Sequence, residues 1–378
     1  MATLAALAAI PAIFIILLHL GLYVGIFVVR RREAKLVSSP EPVSATVVVP
    51  ARNEERLLPK LLASLDQQSS SDFAIILVDD RSSDRTGQEM DRYAEQNARV
   101  TVVHLDDVEE IGNPKLYALI RGVELVETDI ALFTDADCTV PHGWVEEMKK
   151  SFSEPQAGVV LGPIETRRYG TIISEFHNFD HVFKYAYTAG CVGINQATGG
   201  FGNNLGLRKA ALDEIGGMAA IEVSVTEDAA LVSTVRKYAK WKILARFDRS
   251  ITVMTEPQTN FQALTTQEVR WHTGGLYSGD LMSRLSYRFI MFFLTASVIA
   301  IPAVFFVPII AILPAVSFTT MSLIAILSGA CTRQPGRYFL NLLPFVFVSM
   351  VYNSFLTLRA MSKPTLIWKG EPLSRRPR

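Results

Sequence analysis

Three stretches of the chain carry no Asp, Glu, Lys or Arg, and each is long enough to form a membrane span. They are residues 2–29, 289–332 and 338–358. A bilayer span needs about 20 apolar residues, so the first and third stretches predict one helix each, and the middle stretch has room for two. We therefore expect an N-terminal transmembrane anchor over residues 1–30 and a C-terminal transmembrane region over residues 286–358 with two or three spans.

Apolar runs alternate with helical patterns in the region between these hydrophobic ends. Four runs rich in β-branched residues predict buried strands: ATVVVP (45–50), FAIILVDD (73–80), VTVVHL (100–105) and IALFT (130–134). Segments with helical spacing of apolar residues lie between them. Such alternation is typical of βαβ units. We predict an α/β domain over residues 40–285, with a mixed, mostly parallel sheet and helices on both faces.

Acidic side chains follow two of these strands at the point where each strand ends. Asp79 and Asp80 end the second strand, and Asp135 and Asp137 follow the fourth. Ligands of open parallel sheets bind beyond the carboxyl ends of the strands, and carboxylate oxygens are ligands that Mg²⁺ prefers and Mn²⁺ accepts. The spacing predicts a Mn²⁺ or Mg²⁺ site at Asp135 and Asp137, with a solvated turn as the alternative.

The first strand ends in PARNEE and is not followed by a glycine-rich phosphate loop. Neither G-x-G-x-x-G at this position nor G-x-x-x-x-G-K-[ST] anywhere occurs in the sequence, which argues against a dinucleotide site and a P-loop. A bound diphosphate would then need another source of positive charge. The metal of the Asp135-Ala-Asp137 pair would supply that charge.

Two later motifs also carry candidate chemistry. Asp228 lies in a Thr-Glu-Asp sequence that opens a helix, either as a favourable helix start or as a general base. Gln267, Arg270 and Trp271 share one helix face, where an indole could stack on a sugar and a guanidinium could bind diphosphate. The alternative for this second motif is an amphipathic helix beside the membrane.

The segment HNFDH places two histidines one helical turn apart, as zinc sites often do. It lacks the glutamate of H-E-x-x-H, so the sequence does not favour zinc at His177 and His181. Aromatic residues recur nearby at helical spacing, at Phe176, Phe179, Phe183 and Tyr187. This stripe is typical of core packing, and a path for an acceptor beside the membrane is the alternative.

Taken in order, VVVPARNEE, VDDRSSDRT, TDADC, TED and QEVRW resemble the motifs of glycosyltransferase family 2. The resemblance covers about residues 45–272 and implies the GT-A fold and inverting sugar transfer from a nucleotide donor. GNPKLYAL (112–119) is similar to a stretch of ceramide glucosyltransferases and makes Lys115 a donor-site candidate. The resemblance implies nucleoside binding by Ala51, Glu54 and Asp79 or Asp80. It implies a D-x-D motif at Asp135 and Asp137, with Asp137 as direct metal ligand, and a catalytic base at Asp228. It also implies that Gln267, Arg270 and Trp271 form the Q-x-x-R-W motif of membrane-integrated members.

Charge patterning predicts the orientation in the membrane. Arg30, Arg31, Arg32 and Lys35 follow the first span, so the positive-inside rule places residues 33–288 in the cytoplasm. The first span has no basic segment before it, which favours an anchor over a cleaved signal peptide. The basic tail at 359–378 argues for a cytoplasmic C-terminus. Three C-terminal spans would leave it outside, unless one segment lies in the interface or re-enters the bilayer.

The composition of the chain narrows the choice of binding partners. The 378 residues include 37 acidic and 37 basic side chains, a balance that gives no sign of a nucleic-acid partner. We expect a multi-pass enzyme of the cell inner membrane that uses a nucleotide sugar, a UDP-sugar for preference, and glycosylates a lipid acceptor. The alternatives are a processive polysaccharide synthase and, from another class, a non-catalytic membrane receptor or scaffold.

Overall fold

The computed structural model describes residues 2–36, 43–107, 113–238, 240–329, 331–369 and 371–373. Parts of every sequence-predicted region fall outside these ranges. They are residue 1 of the predicted anchor, residues 40–42, 108–112 (with Gly112 of the GNPK segment) and 239 of the predicted α/β domain, residue 330 of the C-terminal transmembrane region, and residues 370 and 374–378 of the basic tail.

The described helices are, in chain order, α1 (Ala2–Glu33), α2 (Leu58–Asp66), α3 (Thr86–Gln96), α4 (Pro114–Val123), α5 (Trp144–Ser151), α6 (Ile172–Gly193), α7 (Lys209–Glu214), α8 (Glu227–Tyr238), α9 (Phe261–Leu276), α10 (Leu281–Ala303), α11 (Ile312–Ser328), α12 (Pro335–Leu340) and α13 (Leu342–Met361). The strands are β1 (Ala45–Ala51), β2 (Ala74–Asp80), β3 (Val100–Leu105), β4 (Ile130–Phe133), β5 (Cys138–Thr139), β6 (Ala157–Leu161), β7 (Ile164–Thr166), β8 (Leu205–Arg208), β9 (Lys242–Ala245), β10 (Val253–Thr255), β11 (Ile367–Trp368) and β12 (Glu371–Pro372).

The central sheet of the described chain has the strand order β3-β2-β1-β4-β8-β6-β9. Strands β3, β2, β1 and β4 are parallel, β8 runs antiparallel to both of its neighbours, and β9 is parallel to β6. The predicted mixed, mostly parallel α/β sheet is therefore confirmed. The strands expected from the β-branched runs all lie in its parallel part, because strands covered on both faces are continuously apolar.

The register of the parallel strands brings their carboxyl ends to one edge. Ala51, the last residue of β1, pairs with Asp79 in β2, and Phe133 at the end of β4 pairs with Val48 in β1. The chain then turns through the Asp135–Asp137 segment into β5, where Cys138 pairs with Thr255 of β10 in a small second sheet. The D-x-D segment is therefore held at both ends by strands.

Within the described residues, four helices are long and apolar enough to cross a membrane. They cover Ala9–Glu33, Leu281–Ala303, Pro308–Ser328 and Leu342–Met361. These candidate spans flank the α/β domain in the sequence, one before it and three after it. These four helices agree with the apolar stretches of the sequence.

Helix α1 packs closely on α6. A Cβ atom at Gly25 would lie 1.9 Å from the carbonyl oxygen of Gly190, and one at Gly193 would lie 2.0 Å from that of Gly25. Only glycine lets the two backbones approach so closely. At the end of α1, Glu33 pairs with the buried Arg246 at 2.6 Å. Both contacts fix α1 to the α/β domain.

Candidate active site

One cavity of about 900 Å³ opens along the carboxyl edge of the sheet and extends between the helices. Its polar end is formed by the segments that follow β1 and β4 and by the start of α8. Its other end is formed by apolar side chains of α1, α10 and α11, which are candidate membrane spans. Of the residues predicted from sequence, the cavity is lined by Ala51, Glu54, Lys115, Asp135, Asp137, Asp228, Gln267, Arg270 and Trp271.

The two aspartates of the D-x-D segment lie beside a third carboxylate. Burial, Asp135 and Glu54 together raise the pKa of Asp137 to about 7. Burial likewise raises the pKa of Glu54, against the opposing effect of Lys369. Carboxylates that repel one another in a partly buried cluster favour a bound cation. The all-oxygen donor set of Asp135 and Asp137 therefore fits Mg²⁺ or Mn²⁺.

Lys115 connects the D-x-D segment to the Thr-Glu-Asp motif. Its Nζ lies 2.9 Å from Asp135 Oδ1 and 3.3 Å from Glu227 Oε1. Burial opposes its charge, but these two carboxylates raise the pKa of Lys115 above its usual value. The same ammonium holds the pKa of Glu227 low despite its burial. Lys115 is thus a fixed positive charge at the polar end of the cavity.

Asp228 lies at the start of α8 with its carboxylate held by two backbone donors. Gly202 N–H donates to Oδ2 at 2.8 Å, and Ala229 N–H donates to Oδ1 at 2.7 Å. Burial first, and then the neighbouring Glu227, raise the pKa of Asp228 to about 6. A carboxylate with a pKa near 6 suits a general base that works near neutral pH. The GGFGNN loop supplies one of the two donors.

The Gln267, Arg270 and Trp271 side chains line the cavity from α9. Arg270 Nη1 donates to the Val225 carbonyl at 2.9 Å, which ties α9 to the segment before Asp228. The Trp271 ring lies 5.5 Å from the ring of His181 and under the ammonium of Lys184 at 5.7 Å. The three side chains therefore lie between the polar end of the cavity and the end that α1, α10 and α11 form.

Asp79 and Asp80 differ from the other predicted residues because they do not line the cavity in the described chain. Asp79 contacts His104 at 3.2 Å and accepts from Ser82 N–H at 3.1 Å. Asp80 is buried and pairs with Arg81 at 2.9 Å. It also lies 3.7 Å from Arg52, a cavity-lining residue. Their nucleoside role stays a prediction.

Several cavity residues were not among the predicted site residues. Glu227 was visible in the TED motif only as a helix-start acid, and nothing in the sequence marked Lys369. After α13 the chain returns to the α/β domain, where Lys369 contacts Glu54. Trp368 lines the cavity beside it. No sequence pattern connects position 369 with position 54.

Comparisons with known proteins agree with this geometry. Residues 46–229 match the model of the family described as Glycosyl transferase family 2. The 4,4'-diaponeurosporenoate glycosyltransferase of Staphylococcus haemolyticus is 32% identical over 162 residues, which are 43% of this chain and 40% of that protein. The poly-beta-1,6-N-acetyl-D-glucosamine synthase of Staphylococcus aureus is 25% identical over 245 residues, 61% of this chain and 54% of that protein. The chain thus spans about half the length of the curated relatives it matches.

A solved structure extends the likeness to the fold. The mannosyltransferase PcManGT from Pyrobaculum calidifontis, in complex with GDP-Man and Mn²⁺, has a TM-score of 0.54 at 16% sequence identity, over 96% of this chain and 100% of that chain. The fold is therefore of the GT-A-like α/β class. Residues 46–229 are a glycosyltransferase family 2 domain. The predicted family is confirmed, and the narrower resemblance to ceramide glucosyltransferases stays a prediction.

Proposed function

We propose that this protein is a membrane-bound inverting glycosyltransferase that transfers a sugar from a nucleotide-diphosphate sugar to a hydroxyl of a lipid acceptor. One observation carries the proposal. A single cavity joins the acidic strand ends to apolar side chains of candidate membrane spans. At the apolar end it is lined by Ile15 and Leu18 of α1, Ile290 and Leu294 of α10, and Met321 of α11. A lipid could thus place its polar end near Asp228 without leaving the apolar helices.

The donor would lie at the acidic end of the cavity. Asp137, with Asp135, would hold a divalent cation, which when bound stabilises negative charge on the departing diphosphate. Lys115 adds a fixed positive charge to this end. Arg270 presents a guanidinium from α9, a group suited to diphosphate. We propose a UDP-sugar as the donor, with GDP- and dTDP-sugars as the alternatives that the experiment separates.

Asp228 would take the proton from the acceptor hydroxyl while the hydroxyl oxygen forms its bond to the anomeric carbon. The bond from that carbon to the diphosphate oxygen breaks in the same displacement, so the anomeric configuration inverts. The backbone N–H groups of Gly202 and Ala229 hold the Asp228 carboxylate in place. The raised pKa of Asp228 strengthens it as a base.

A processive polysaccharide synthase is the second candidate. It is favoured by the similarity to the poly-beta-1,6-N-acetyl-D-glucosamine synthase. A polymer needs a channel enclosed by transmembrane helices, and the described chain has four candidate spans. This number suits a lipid acceptor better than a channel. A non-catalytic scaffold is disfavoured by the intact carboxylates Asp135, Asp137 and Asp228 in one cavity.

The test is a donor and product screen on membranes that contain the full chain. Labelled UDP-, GDP- and dTDP-sugars are supplied with Mn²⁺, and lipids are extracted and analysed by mass spectrometry. We expect one donor to label a lipid with a single sugar, and Asp228→Asn membranes to give no such product. A polymer would establish the second candidate, and no transfer from any donor would favour a scaffold.

We also propose a membrane topology in which α1, α10 and α11 cross the bilayer and α13 lies along the membrane surface. Both flanks of α13 contact the α/β domain. Before it, Arg333 N–H donates to Glu165 and Arg337 pairs with Glu175 at 2.5 Å. After it, Lys369 reaches Glu54. One straight helix with both flanks on the same side of a membrane has not crossed it.

The hairpin of α10 and α11 differs from α13, because the turn between its two helices lies far from the α/β domain. Asp280 before α10 pairs with Arg236 of the α/β domain at 2.6 Å, and the Leu327 carbonyl near the end of α11 accepts from Arg30 at 2.9 Å. Between them, Phe305 and Phe306 are 88% and 86% exposed at the far turn. This topology leaves the C-terminal tail with the catalytic domain on the cytoplasmic side, as the basic tail favours.

Reporter fusions test the topology. Fusions near residue 150 and after residue 373 should both behave as cytoplasmic, and one in the turn at residues 304–311 should behave as external. A C-terminal fusion on the side opposite to the residue-150 fusion would show that α13 crosses the bilayer. An external residue-150 fusion would reverse the whole orientation and remove the cytoplasmic donor supply.

A further inference from the structure

A second cluster of metal-ligating side chains lies away from the D-x-D segment. His177 and His181 lie one turn apart on α6, and Glu268 comes from α9. The three side chains are almost fully buried, with 1%, 2% and 0% exposure. One ligand atom from each lies within 4.8 Å of the others, and the imidazole centroids are 4.3 Å apart. The glutamate that the HNFDH segment lacks is thus supplied by another helix.

The ligand atoms of this cluster have no hydrogen-bond partner within the described ranges of the chain. This holds for both ring nitrogens of His177, for His181 Nε2 and for Glu268 Oε1. Leaving a buried polar group unpaired destabilises the folded state, and such groups are rare in native proteins. Their convergence on one point indicates that a bound species pairs with them.

The local charge favours a cation. Lys184 pairs with Asp180 at 2.6 Å and with the second carboxylate oxygen of Glu268. Two carboxyl groups face one ammonium, so an anion is disfavoured. Lys184 pairs with Oε2 of Glu268, whereas Oε1 has no hydrogen-bond partner in the described part of the chain. The Asp180–Lys184 pair therefore surrounds the cluster without occupying its ligand atoms.

We propose that His177, His181 and Glu268 bind a divalent transition-metal ion, with Zn²⁺ as the best match to two imidazoles and one carboxylate. Ligand atoms about 2.1 Å from Zn²⁺ can lie at most about 4.2 Å apart, so small side-chain rotations close the site. His181 Nδ1 lies 2.7 Å from Thr166 Oγ1. When Nδ1–H donates to that hydroxyl, the Nε2 lone pair is free for the metal.

The ion would link α6 to α9 beside the acceptor end of the cavity. His177 and His181 line the same cavity as Trp271, which lies three residues after Glu268. Three protein ligands leave a coordination position toward the cavity, available to water or to an acceptor oxygen. The nitrogen-containing ligand set distinguishes this centre from the all-oxygen D-x-D site, which suits Mg²⁺ or Mn²⁺.

Metal content tests the proposal without any transfer assay. The full chain is purified in detergent, equilibrated with Zn²⁺, freed of loose metal by gel filtration and measured by mass spectrometry. We expect about one tightly held zinc per chain, and at least about a tenfold loss of bound zinc in His177→Ala. His142→Ala is the matched control, because His142 is an exposed histidine outside the cluster. Asp137→Ala should also keep the zinc.

Two further measurements cover the case in which His177→Ala does not fold. Glu268→Gln keeps the shape of the side chain and should show the same loss of zinc. Co²⁺ in the unaltered protein should give the visible absorption of a nitrogen- and oxygen-ligated centre. Unaltered protein without bound Zn²⁺ or Co²⁺, or equal zinc in His177→Ala and His142→Ala, would overturn the proposal. Zinc lost from Asp137→Ala alone would assign the metal to the D-x-D site.

Discussion

The two ends of the cavity are built in different ways. At the acidic end, which we propose as the donor end, short segments that follow parallel strands present Asp135, Asp137 and Glu54, and the sheet register fixes where they lie. At the other end, which we propose as the acceptor end, packed helices present Trp271 and the His177 cluster, and helix packing fixes their positions. The donor end contains oppositely charged side chains in short contacts, whereas the acceptor end combines apolar surface with buried polar groups.

This difference separates the residues proposed for catalysis from those proposed for recognition of the acceptor. A strand end held by a seven-stranded sheet positions a carboxylate rigidly, as charge stabilisation requires. Helices packed side by side can change the shape of the acceptor space while the sheet stays fixed. We therefore expect substitutions at the donor end to remove catalysis, and substitutions at the acceptor end to change which molecule is used and how well.

The largest effect is expected for Asp137→Ala. The substitution removes the carboxylate that the family resemblance implies as the direct metal ligand, so donor binding and stabilisation of the leaving group should be lost together. Transfer should fall by about 10³-fold or more, and excess chelator should have the same effect on the unaltered protein. Donor affinity is measured by calorimetry with and without Mn²⁺.

Asp213→Ala is a matched control for Asp137→Ala, because Asp213 is surface-exposed and pairs only with Lys209 among the contacts of the described chain. It should retain full transfer and full donor affinity. Normal activity in excess chelator would contradict the metal role of the D-x-D segment and leave the donor end without its proposed cation.

The next effect is expected for Asp228→Asn. Asparagine starts a helix as well as aspartate, but it cannot accept the acceptor proton. General-base catalysis contributes about 10²–10⁴-fold, so turnover should fall by that order while donor affinity changes little. The melting temperature should fall slightly, because the amide of asparagine can accept only one of the two backbone N–H groups that hold Asp228. Near-normal turnover in a folded variant would reduce Asp228 to a helix-start residue.

The pH dependence provides an independent check on Asp228. Its pKa is raised to about 6, and only the deprotonated carboxylate can act as base. Turnover at saturating Mn²⁺ and donor should therefore rise with pH through about 6 and level off above it. The rise should disappear in Asp228→Asn. A profile that falls through this range would contradict the assignment.

The donor end was largely predictable from the sequence. Four apolar runs gave the strands, and their order placed Asp135 and Asp137 at one edge, since parallel strands share a carboxyl edge. Motif order added Asp228 and Lys115. The sequence did not reveal that Lys115 bridges Asp135 to Glu227. Lys115 and Glu227 are more than 100 residues apart, and a contact at that separation leaves no local pattern.

The acceptor end was predictable only in part. The i, i+4 spacing placed Gln267 and Trp271 on one face, and the histidine pair was visible in HNFDH. Glu268, which lies beside that pair, is more than 80 residues away in the sequence. Its contact depends on how α6 and α9 pack. The surface position that we propose for α13 could not be predicted either, because a helix along a membrane and one across it can share the same composition.

The smallest effect is expected at the acceptor end, for Trp271→Ala. The indole lines the cavity between Asp228 and the apolar helices, so its loss should weaken acceptor placement and leave the donor site intact. One aromatic contact is worth about 1 kcal/mol beyond its buried area, so the acceptor-dependent rate should fall about fivefold. Trp271→Phe is the matched variant, because it keeps a ring in the cavity and should retain most of the rate. Since Trp271 also contacts His181 and Lys184, melting temperatures are compared to separate acceptor placement from packing. A fall in donor affinity with normal transfer by the bound complex would place Trp271 at the donor end, and the division between the two ends would then fail.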